Sequence, residues 1–263
     1  MAFDPERYWN ERHEATRGLD GVGFLGLRGL NEWMYRVRRR VFRRTVRQSG
    51  VDVTEARVLD VGSGTGFYLE RWTELGAREL VGTDFSEVAV ERLRGAYPNL
   101  RIEPLDITTE EPLDALGTFD LISVMDVLYH VVDDDAYARA FANLARLLNP
   151  GGRIVFTENF LHRSSDKDHA WHTSRRLDEV ERAVQRGGLV IERRRPWFVL
   201  MNEPVDSDSK LHAKAWWWMQ KLSEKVPGAG YTIGAALYPS EVVLTRLLRE
   251  GPTSEIAIAR RAT

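Results

Sequence analysis

The stretch Val58-Leu59-Asp60-Val61-Gly62-Ser63-Gly64-Thr65-Gly66 decides the predicted fold. Its first residues are mostly apolar, which is typical of a buried strand, and the glycines that follow at every second position are typical of a tight turn. A helical pattern begins directly afterwards, at Phe67. Glycines let the backbone approach a ligand closely, and the free N–H groups at a helix N-terminus attract an anionic or polar group. The stretch therefore predicts a binding turn for a nucleotide-like cofactor.

Strand and helix patterns alternate on both sides of this turn. Further strands are predicted over residues 79–84, 100–104, 119–124, 153–158, 189–192 with an extension through 197–201, and 255–259. Helical patterns lie between most of them. Such alternation implies right-handed crossovers and a parallel sheet that is covered on both faces, so we predict an α/β fold.

Composition limits the classes of function. The net charge is −2 and there are no cysteines, so no global basic field recruits nucleic acid or an acidic membrane surface, and thiolate chemistry is excluded. Only a local patch of charge could recruit either of them. The first residues are charged where a signal peptide is apolar, and no run approaches the roughly 18 apolar residues that span a bilayer. We expect a soluble, cytoplasmic protein with no membrane segment.

Asp84 ends the strand that follows the glycine turn and its helix. A carboxylate at that position accepts hydrogen bonds from ribose hydroxyls of a ligand that lies across the carboxyl ends of a parallel sheet. The alternative is that Asp84 caps the next helix, although Ser86 already suits that role.

Two regions flank the predicted sheet. We predict an N-terminal helical lid segment over residues 1–50, a core over residues 51–201 and 252–263, and a helical substrate cap over residues 202–251. In the lid, a glycine-rich segment begins at Gly18, and a helix over residues 31–48 carries seven arginines between Arg36 and Arg47. Two interpretations of these arginines are open: they bind phosphate or carboxylate groups, or they form a solvated face of the helix. In the cap we predict helices over residues 210–225 and 239–250, and Trp216–Trp218 either wall a substrate pocket or attach the cap and a second subunit.

The ordered set of motifs resembles the class I S-adenosylmethionine-dependent methyltransferases. The resemblance rests on the glycine turn, Asp84, Asp106, the strand over residues 119–124 and the Leu148-Asn149-Pro150-Gly151-Gly152 turn. It implies a Rossmann-like, mostly parallel seven-stranded sheet with an antiparallel last strand, helices on both faces, and the helical cap inserted between strands 6 and 7.

A dinucleotide site is the main alternative for the turn. A dinucleotide fingerprint places its third glycine three residues after the second, whereas here the third glycine follows after two. Asp60 also precedes the first glycine by two residues, where it would repel a pyrophosphate but suits the ammonium group of a methionine moiety. Both features favour S-adenosylmethionine, with S-adenosylhomocysteine as product.

The resemblance also implies which residues contact this cofactor. Gly62, Gly64 and Gly66 would line its methionine and sugar, Asp84 its ribose, and Phe85 its adenine ring. Asp106 and the Ile107 backbone would meet the adenine amino group, and Met125 would lie beside the transferring methyl. Tyr8, with Trp9, would close over the cofactor.

If the methyl acceptor is a hydroxyl, a base has to take its proton. His130 follows the fourth strand and His162 the fifth, and we predict these two histidines as catalytic residues. The alternative for His130 is that it packs the loop. Asp168, His169 and His172 resemble metal ligands in type, but such a polar stretch is more often solvated, and no metal is predicted.

We therefore predict a methyltransferase that acts on a small molecule, most simply on a hydroxyl. Two alternatives stay open. An RNA or protein methyltransferase would bind its substrate through the arginine helix. A non-catalytic scaffold would keep the cofactor site but would not catalyse methyl transfer. A small-molecule partner is expected and nucleic acid is not, and a homodimer is one further option.

Overall fold

The computed structural model describes residues 4–15, 23–24, 26–163, 166–169 and 171–262. Its helices are α1 (Pro5–Ala15), α2 (Arg28–Gln48), α3 (Phe67–Leu75), α4 (Glu87–Ala96), α5 (Asp134–Leu147), α6 (Leu177–Arg186), α7 (Lys210–Lys225) and α8 (Ala229–Leu247). Its strands are β1 (Arg57–Val61), β2 (Glu79–Asp84), β3 (Arg101–Pro104), β4 (Phe119–Val124), β5 (Leu148–Glu158), β6 (Asp166–His169), β7 (His172–Ser174), β8 (Leu189–Pro196) and β9 (Glu255–Arg261).

Seven of these strands form one sheet in the order β3-β2-β1-β4-β5-β9-β8. The pairs of β1 with β2, β1 with β4, β2 with β3 and β4 with β5 are parallel, whereas β9 is antiparallel to both β5 and β8. The predicted fold class is therefore confirmed, including the antiparallel last strand and the helices inserted between β8 and β9.

A hydrophobic core lies on each face of the sheet. One core contains α5 and α6 and includes Phe119, Tyr137 and Phe141. The other contains α2, α3, α4 and α7 and includes Trp72 and Trp197. Since α2 and α7 share the second core with the sheet, the two flanking regions pack as one body with the core, and the predicted division into lid, core and cap stays a prediction.

The helix that was predicted to start at Pro239 is wrong in its bounds. Proline is common in the first turn of a helix, which is why the pattern indicates a start there. Instead, α8 begins at Ala229 and contains Pro239 in its interior. The helix tolerates the lost hydrogen bond because it packs along α2, where the Trp33 ring lies 5.2 Å from the Tyr238 ring.

Two other details differ from the predictions, and the tryptophans of α7 divide between the core and the surface. The polar stretch that contains Asp168, His169 and His172 forms the antiparallel pair β6 and β7 rather than a loop alone. The sixth strand ends at Pro196, and residues 197–199 and 201 are buried without extending it. Of the three tryptophans in α7, Trp216 is buried against Phe24, with 5.3 Å between ring centroids, whereas Trp217 and Trp218 are half-exposed.

Two further expectations concern the glycine-rich segment and the absence of a membrane-spanning helix. The glycine-rich segment that begins at Gly18 lies largely outside the described residues. Within the part of the chain that the structure describes, no helix combines the length and apolar character needed to cross a membrane.

Candidate active site

The glycine turn lies at the carboxyl edge of the parallel strands. Val61 at the end of β1 pairs with Thr83 of β2 and with Val124 of β4, so the three strands end together. Gly66 has a φ of +86°, and a Cβ there would lie 2.6 Å from the Tyr97 ring. Both the backbone conformation and the lack of space therefore require glycine at this position.

Asp84 lies beside the turn, as its position in the sequence predicts. Its Oδ2 accepts from the Gly64 N–H at 2.8 Å and its Oδ1 accepts from the Ser86 N–H at 3.0 Å. The Ser86 hydroxyl caps α4 by accepting from the Ala89 N–H. Asp84 is thus not the cap itself, and its burial raises the pKa of its carboxyl.

Asp60 lies beneath the turn and is fully buried. Hydroxyl groups donate to both of its oxygens, from Ser123 at 2.5 Å and from Ser63 at 2.9 Å, and Trp72 Nε1 donates to Ser123 Oγ. Burial raises the pKa of Asp60 to about 7. A cation that approached this carboxyl would favour its ionised form.

The other residues that were predicted to contact the cofactor differ in their exposure. Phe85 is half-buried and Met125 is buried. Asp106 is exposed and accepts from the backbone N–H of Thr108 at 2.8 Å, while the carbonyl of the buried Ile107 accepts from Asn143 at 2.9 Å. Their roles stay predictions.

Helix α1 lies over this edge of the sheet. Ser86 Oγ donates to Asn10 Oδ1 at 2.6 Å, and the buried His13 interacts electrostatically with Asp84. Tyr8 stacks on Trp171 with ring centroids 6.3 Å apart. The N-terminal helix is therefore held above the turn by polar and aromatic contacts.

His130 lies under the aromatic residues of this helix. Its Nδ1 is 2.9 Å from the carbonyl oxygen of Trp171, so Nδ1 carries the proton and the lone pair of Nε2 stays available. The Trp9 ring meets the imidazole edge-on at a centroid distance of 4.7 Å. Desolvation of this half-buried ring lowers the pKa of His130 to about 3.

The second predicted catalytic histidine is not brought together with the first. His162 is exposed, its Nδ1 lies 2.6 Å from Asp206 and its Nε2 lies 3.7 Å from Glu250. His172 is nearer to His130, with ring centroids 6.0 Å apart, but its Nε2 faces Asn159 and Ser174.

A metal site is not formed by the described residues. Among them, no three His, Cys, Asp or Glu side chains converge in a geometry that could hold an ion. The side chains of Asp168 and His169, which the sequence offered as ligands, lie outside the described residues.

A buried ion pair between Arg38 and Asp126 was missed by the sequence analysis. Asp126 follows β4 directly and has a φ of +61°, a conformation that costs energy for a residue with a side chain. Its N–H donates to Thr157 Oγ1 at 2.7 Å, and Tyr129 donates to its carboxylate. The ion pair joins α2 to the edge of the sheet at the end of β4.

The pair also has an unused donor beside it. Tyr68 is buried, its pKa is raised by desolvation and then by Asp126, and its hydroxyl has no hydrogen-bond partner among the described residues. One signal in the sequence could have indicated Arg38. It is four residues after Met34 and three before Val41, and it therefore lies on the apolar stripe of α2 while the other arginines do not.

Comparison with known proteins agrees with this fold. Residues 33–224 match the family described as "Methyltransferase domain", which is more than half of the chain. In solved structures, the chain resembles magnesium protoporphyrin IX methyltransferase from Synechocystis PCC 6803, with a TM-score of 0.59, 15% identity and 99% of each chain covered. It also resembles the CcbJ methyltransferase from Streptomyces caelestis, with a TM-score of 0.58, 12% identity, and 99% of this chain and 100% of that chain covered.

Curated relatives share part of the sequence. A protein named "Ubiquinone biosynthesis O-methyltransferase" from Mesorhizobium japonicum is 39% identical over 102 residues, which cover 38% of this chain and 39% of that protein. A protein of the same name from Nitrobacter winogradskyi is 31% identical over 153 residues, which cover 51% of this chain and 57% of that protein. The chain thus spans about two fifths to three fifths of the curated relatives it matches. The fold, the glycine turn and the family match together show that this chain belongs to the methyltransferase-domain family, with the class I S-adenosylmethionine-dependent fold.

Proposed function

We propose that the protein transfers the methyl group of S-adenosylmethionine to a hydroxyl group of a small aromatic molecule. The observation that carries this proposal is His130, an uncharged imidazole whose Nε2 has no hydrogen-bond partner among the described residues. It lies beneath the aromatic residues of α1, at the edge where the glycine turn and Asp84 meet. The names of the partial relatives support an oxygen acceptor.

The residues at the turn fit this cofactor. The buried Asp84 carboxylate suits the ribose hydroxyls, and the buried Asp60 suits the positive ammonium group of the methionine portion. Gly62, Gly64 and Gly66 all have a positive φ, a conformation in which the glycine backbone of the turn can approach a ligand closely. When it is bound, S-adenosylmethionine supplies an electrophilic methyl group on a sulfonium.

His130 acts as the base in this proposal. Its low pKa keeps the imidazole unprotonated in neutral solution, so that Nε2 is free to accept a proton. A base this weak accepts the proton late, once the forming carbon–oxygen bond has made the hydroxyl strongly acidic. Its hydrogen bond to the Trp171 carbonyl fixes the tautomer and the orientation of the ring.

The surroundings of His130 favour a ring-shaped acceptor. The rings of Trp9, Tyr129 and Trp171 lie within 4.7, 4.6 and 5.9 Å of the imidazole centroid, respectively. Aromatic walls of this kind exclude water and pack on flat apolar molecules. The buried Arg38–Asp126 pair holds α2 against the same edge of the sheet.

Binding of the cofactor should release a proton through Asp60. Because burial places the pKa of Asp60 near 7, the carboxyl is partly protonated at neutral pH, and a nearby ammonium group lowers that pKa. Affinity for S-adenosylhomocysteine should therefore increase as the pH rises through 7. Calorimetric titrations in phosphate and in Tris should differ in apparent enthalpy, and Asp60→Asn should remove the difference. Equal enthalpies in both buffers for the unmodified protein would mean that Asp60 does not face the ammonium group.

A panel of acceptors tests the reaction class. The protein is incubated with S-adenosylmethionine and either a catechol, an aromatic amine, an aromatic thiol or a short RNA, and the release of S-adenosylhomocysteine is followed. We expect turnover with the catechol and a product mass that is higher by one methylene group. Turnover with the amine or the RNA alone would refute the proposal of O-methylation.

A further inference from the structure

A groove lined by arginines lies between α2 and α8, apart from the glycine turn. Its volume is about 1040 Å³, and none of the described residues that line it is acidic. Eight of them are arginines: Arg36, Arg39, Arg40, Arg43, Arg44, Arg47, Arg195 and Arg246. The net charge of the chain is −2, so this basic groove is a local feature that the overall composition hides.

Few of these guanidinium groups are neutralised by the contacts that are described. Arg39 pairs with Glu74 at 3.1 Å, and Arg44 donates to the Thr245 carbonyl at 2.7 Å. Burial lowers the pKa of Arg44, and the neighbouring arginines, Arg246 first among them, lower it further. Like charges held this close repel one another, and a bound polyanion would relieve that repulsion.

An exposed apolar row runs beside the groove. On α8, Val242 and Arg246 line the groove, whereas the next residues along the helix, Val243 and Leu247, are 52% and 72% exposed. Ala236 and Pro239 continue this exposed row toward the start of the helix. Contacts of Gly29 with Tyr231 and of Arg44 with Thr245 show that α2 and α8 run in the same direction. The arginines of α2 and the exposed apolar row of α8 therefore lie side by side over ~17 Å, at 1.5 Å per residue.

Exposed apolar residues concentrate in this part of the molecule. Of the ten large hydrophobic side chains that are exposed among the described residues, nine lie between residues 211 and 248, on α7, on α8 or directly after them. Concentrated apolar exposure of this kind indicates an interaction surface.

We propose that the groove and the exposed row of α8 form a docking surface for a bilayer that contains anionic phospholipids. Guanidinium groups bind phosphate through paired hydrogen bonds, and exposed aliphatic side chains enter the headgroup boundary, so the arginines and the apolar row would contact the bilayer at the same time. Single-stranded nucleic acid would use the arginines but gains little from Val243 and Leu247, because it binds through stacking on aromatic rings. A second copy of the chain would bring eight further arginines against the first eight.

Co-sedimentation with vesicles tests this surface. The full chain is mixed with vesicles of phosphatidylcholine alone or with roughly 30 mol% phosphatidylglycerol, and each neutralised arginine should weaken binding to the anionic vesicles about fivefold. Arg40→Gln with Arg43→Gln should therefore lower the partition coefficient about 25-fold. Val243→Ser with Leu247→Ser should lower it about tenfold without changing the melting temperature. The control is Arg146→Gln with Arg186→Gln, which removes the same charge from exposed positions of α5 and α6 on the opposite face of the sheet. This control should bind as the unmodified protein does.

Three results would overturn the proposal. The first is equal binding to vesicles with and without phosphatidylglycerol. The second is retention of a single-stranded RNA by the groove that is lost in the Arg40/Arg43 variant while vesicle binding is unchanged, which would assign the groove to nucleic acid. The third is a dimer in solution that the Val243/Leu247 variant dissociates, which would assign the apolar row to a second copy of the chain.

Discussion

Replacing Asp84 with alanine should lower the affinity for S-adenosylhomocysteine by at least about 100-fold. A carboxylate that accepts from two ribose hydroxyls contributes about 1.5–3 kcal/mol per hydrogen bond, and each 1.4 kcal/mol is a factor of ten. The same substitution leaves the Gly64 N–H, which Asp84 accepts at 2.8 Å, without its partner. Calorimetric titration of the unmodified protein and the variant measures the change.

Two further variants show whether the effect is specific. Asp84→Asn keeps the volume and one acceptor oxygen, so it should lose less affinity than Asp84→Ala. Glu103→Ala removes an acid near the end of the neighbouring strand, where it pairs with Arg94 and Arg101, and it should leave the affinity unchanged. The opposite outcome is a correctly folded Asp84→Ala variant whose dissociation constant lies within threefold of that of the unmodified protein. It would show that the ribose does not bind at Asp84.

Replacing His130 with alanine should lower turnover by about 10²- to 10⁴-fold, the usual contribution of a general base. The affinity for S-adenosylhomocysteine should change by less than about threefold, because positioning of the cofactor depends on the turn and Asp84 rather than on the imidazole. Steady-state assays with the best acceptor of the panel give turnover, and calorimetry gives the affinity.

His162 supplies the matched comparison, since it is a histidine that is exposed and paired with Asp206. His162→Ala should retain turnover, and the opposite outcome, loss of turnover in His162→Ala alone, would transfer the role of base to His162.

The pH profile of kcat separates a catalytic role of His130 from a packing role. Because the pKa of His130 is about 3, kcat at saturating cofactor should not fall with an imidazole titration near pH 6.5 as the pH is lowered. Such a limb in the unmodified protein would indicate an ordinary, solvated histidine as the base.

The sheet and the turn were predictable because their signals are local. The run of residues 58–66 contains a strand, a turn and a helix start within nine positions, and each step follows from the residue types alone. Ser86 was correctly predicted as a helix cap for the same reason, since a cap depends on N–H groups two or three residues away.

The ion pair beside the site was not predictable in the same way. Arg38 and Asp126 are 88 residues apart in the sequence, and neither has a neighbour that indicates the other. The environment of His130 likewise depends on Trp9 and Trp171, from two distant segments that meet only in the folded chain. Desolvation by such distant segments sets its pKa, and no local pattern reports it.

The arginine groove shows a second limit of sequence reasoning. The arginines of α2 were visible as a run, but Arg195 and Arg246 join them only through the packing of α8 and the end of β8. An average over the chain gives a net charge of −2 and conceals the charge of this surface. The continuation of α8 through Pro239 was not predicted, because packing against α2 outweighs the local helix-start signal of the proline.

A crystal structure with S-adenosylhomocysteine and the best acceptor of the panel tests the proposed reaction most directly. We expect the ribose hydroxyls on Asp84, the sulfur directed toward an acceptor hydroxyl, and His130 Nε2 within about 3 Å of that oxygen. An acceptor whose hydroxyl lies away from the sulfur, with His130 Nε2 bound to another protein group, would contradict the proposal that this protein is an O-methyltransferase with His130 as its base.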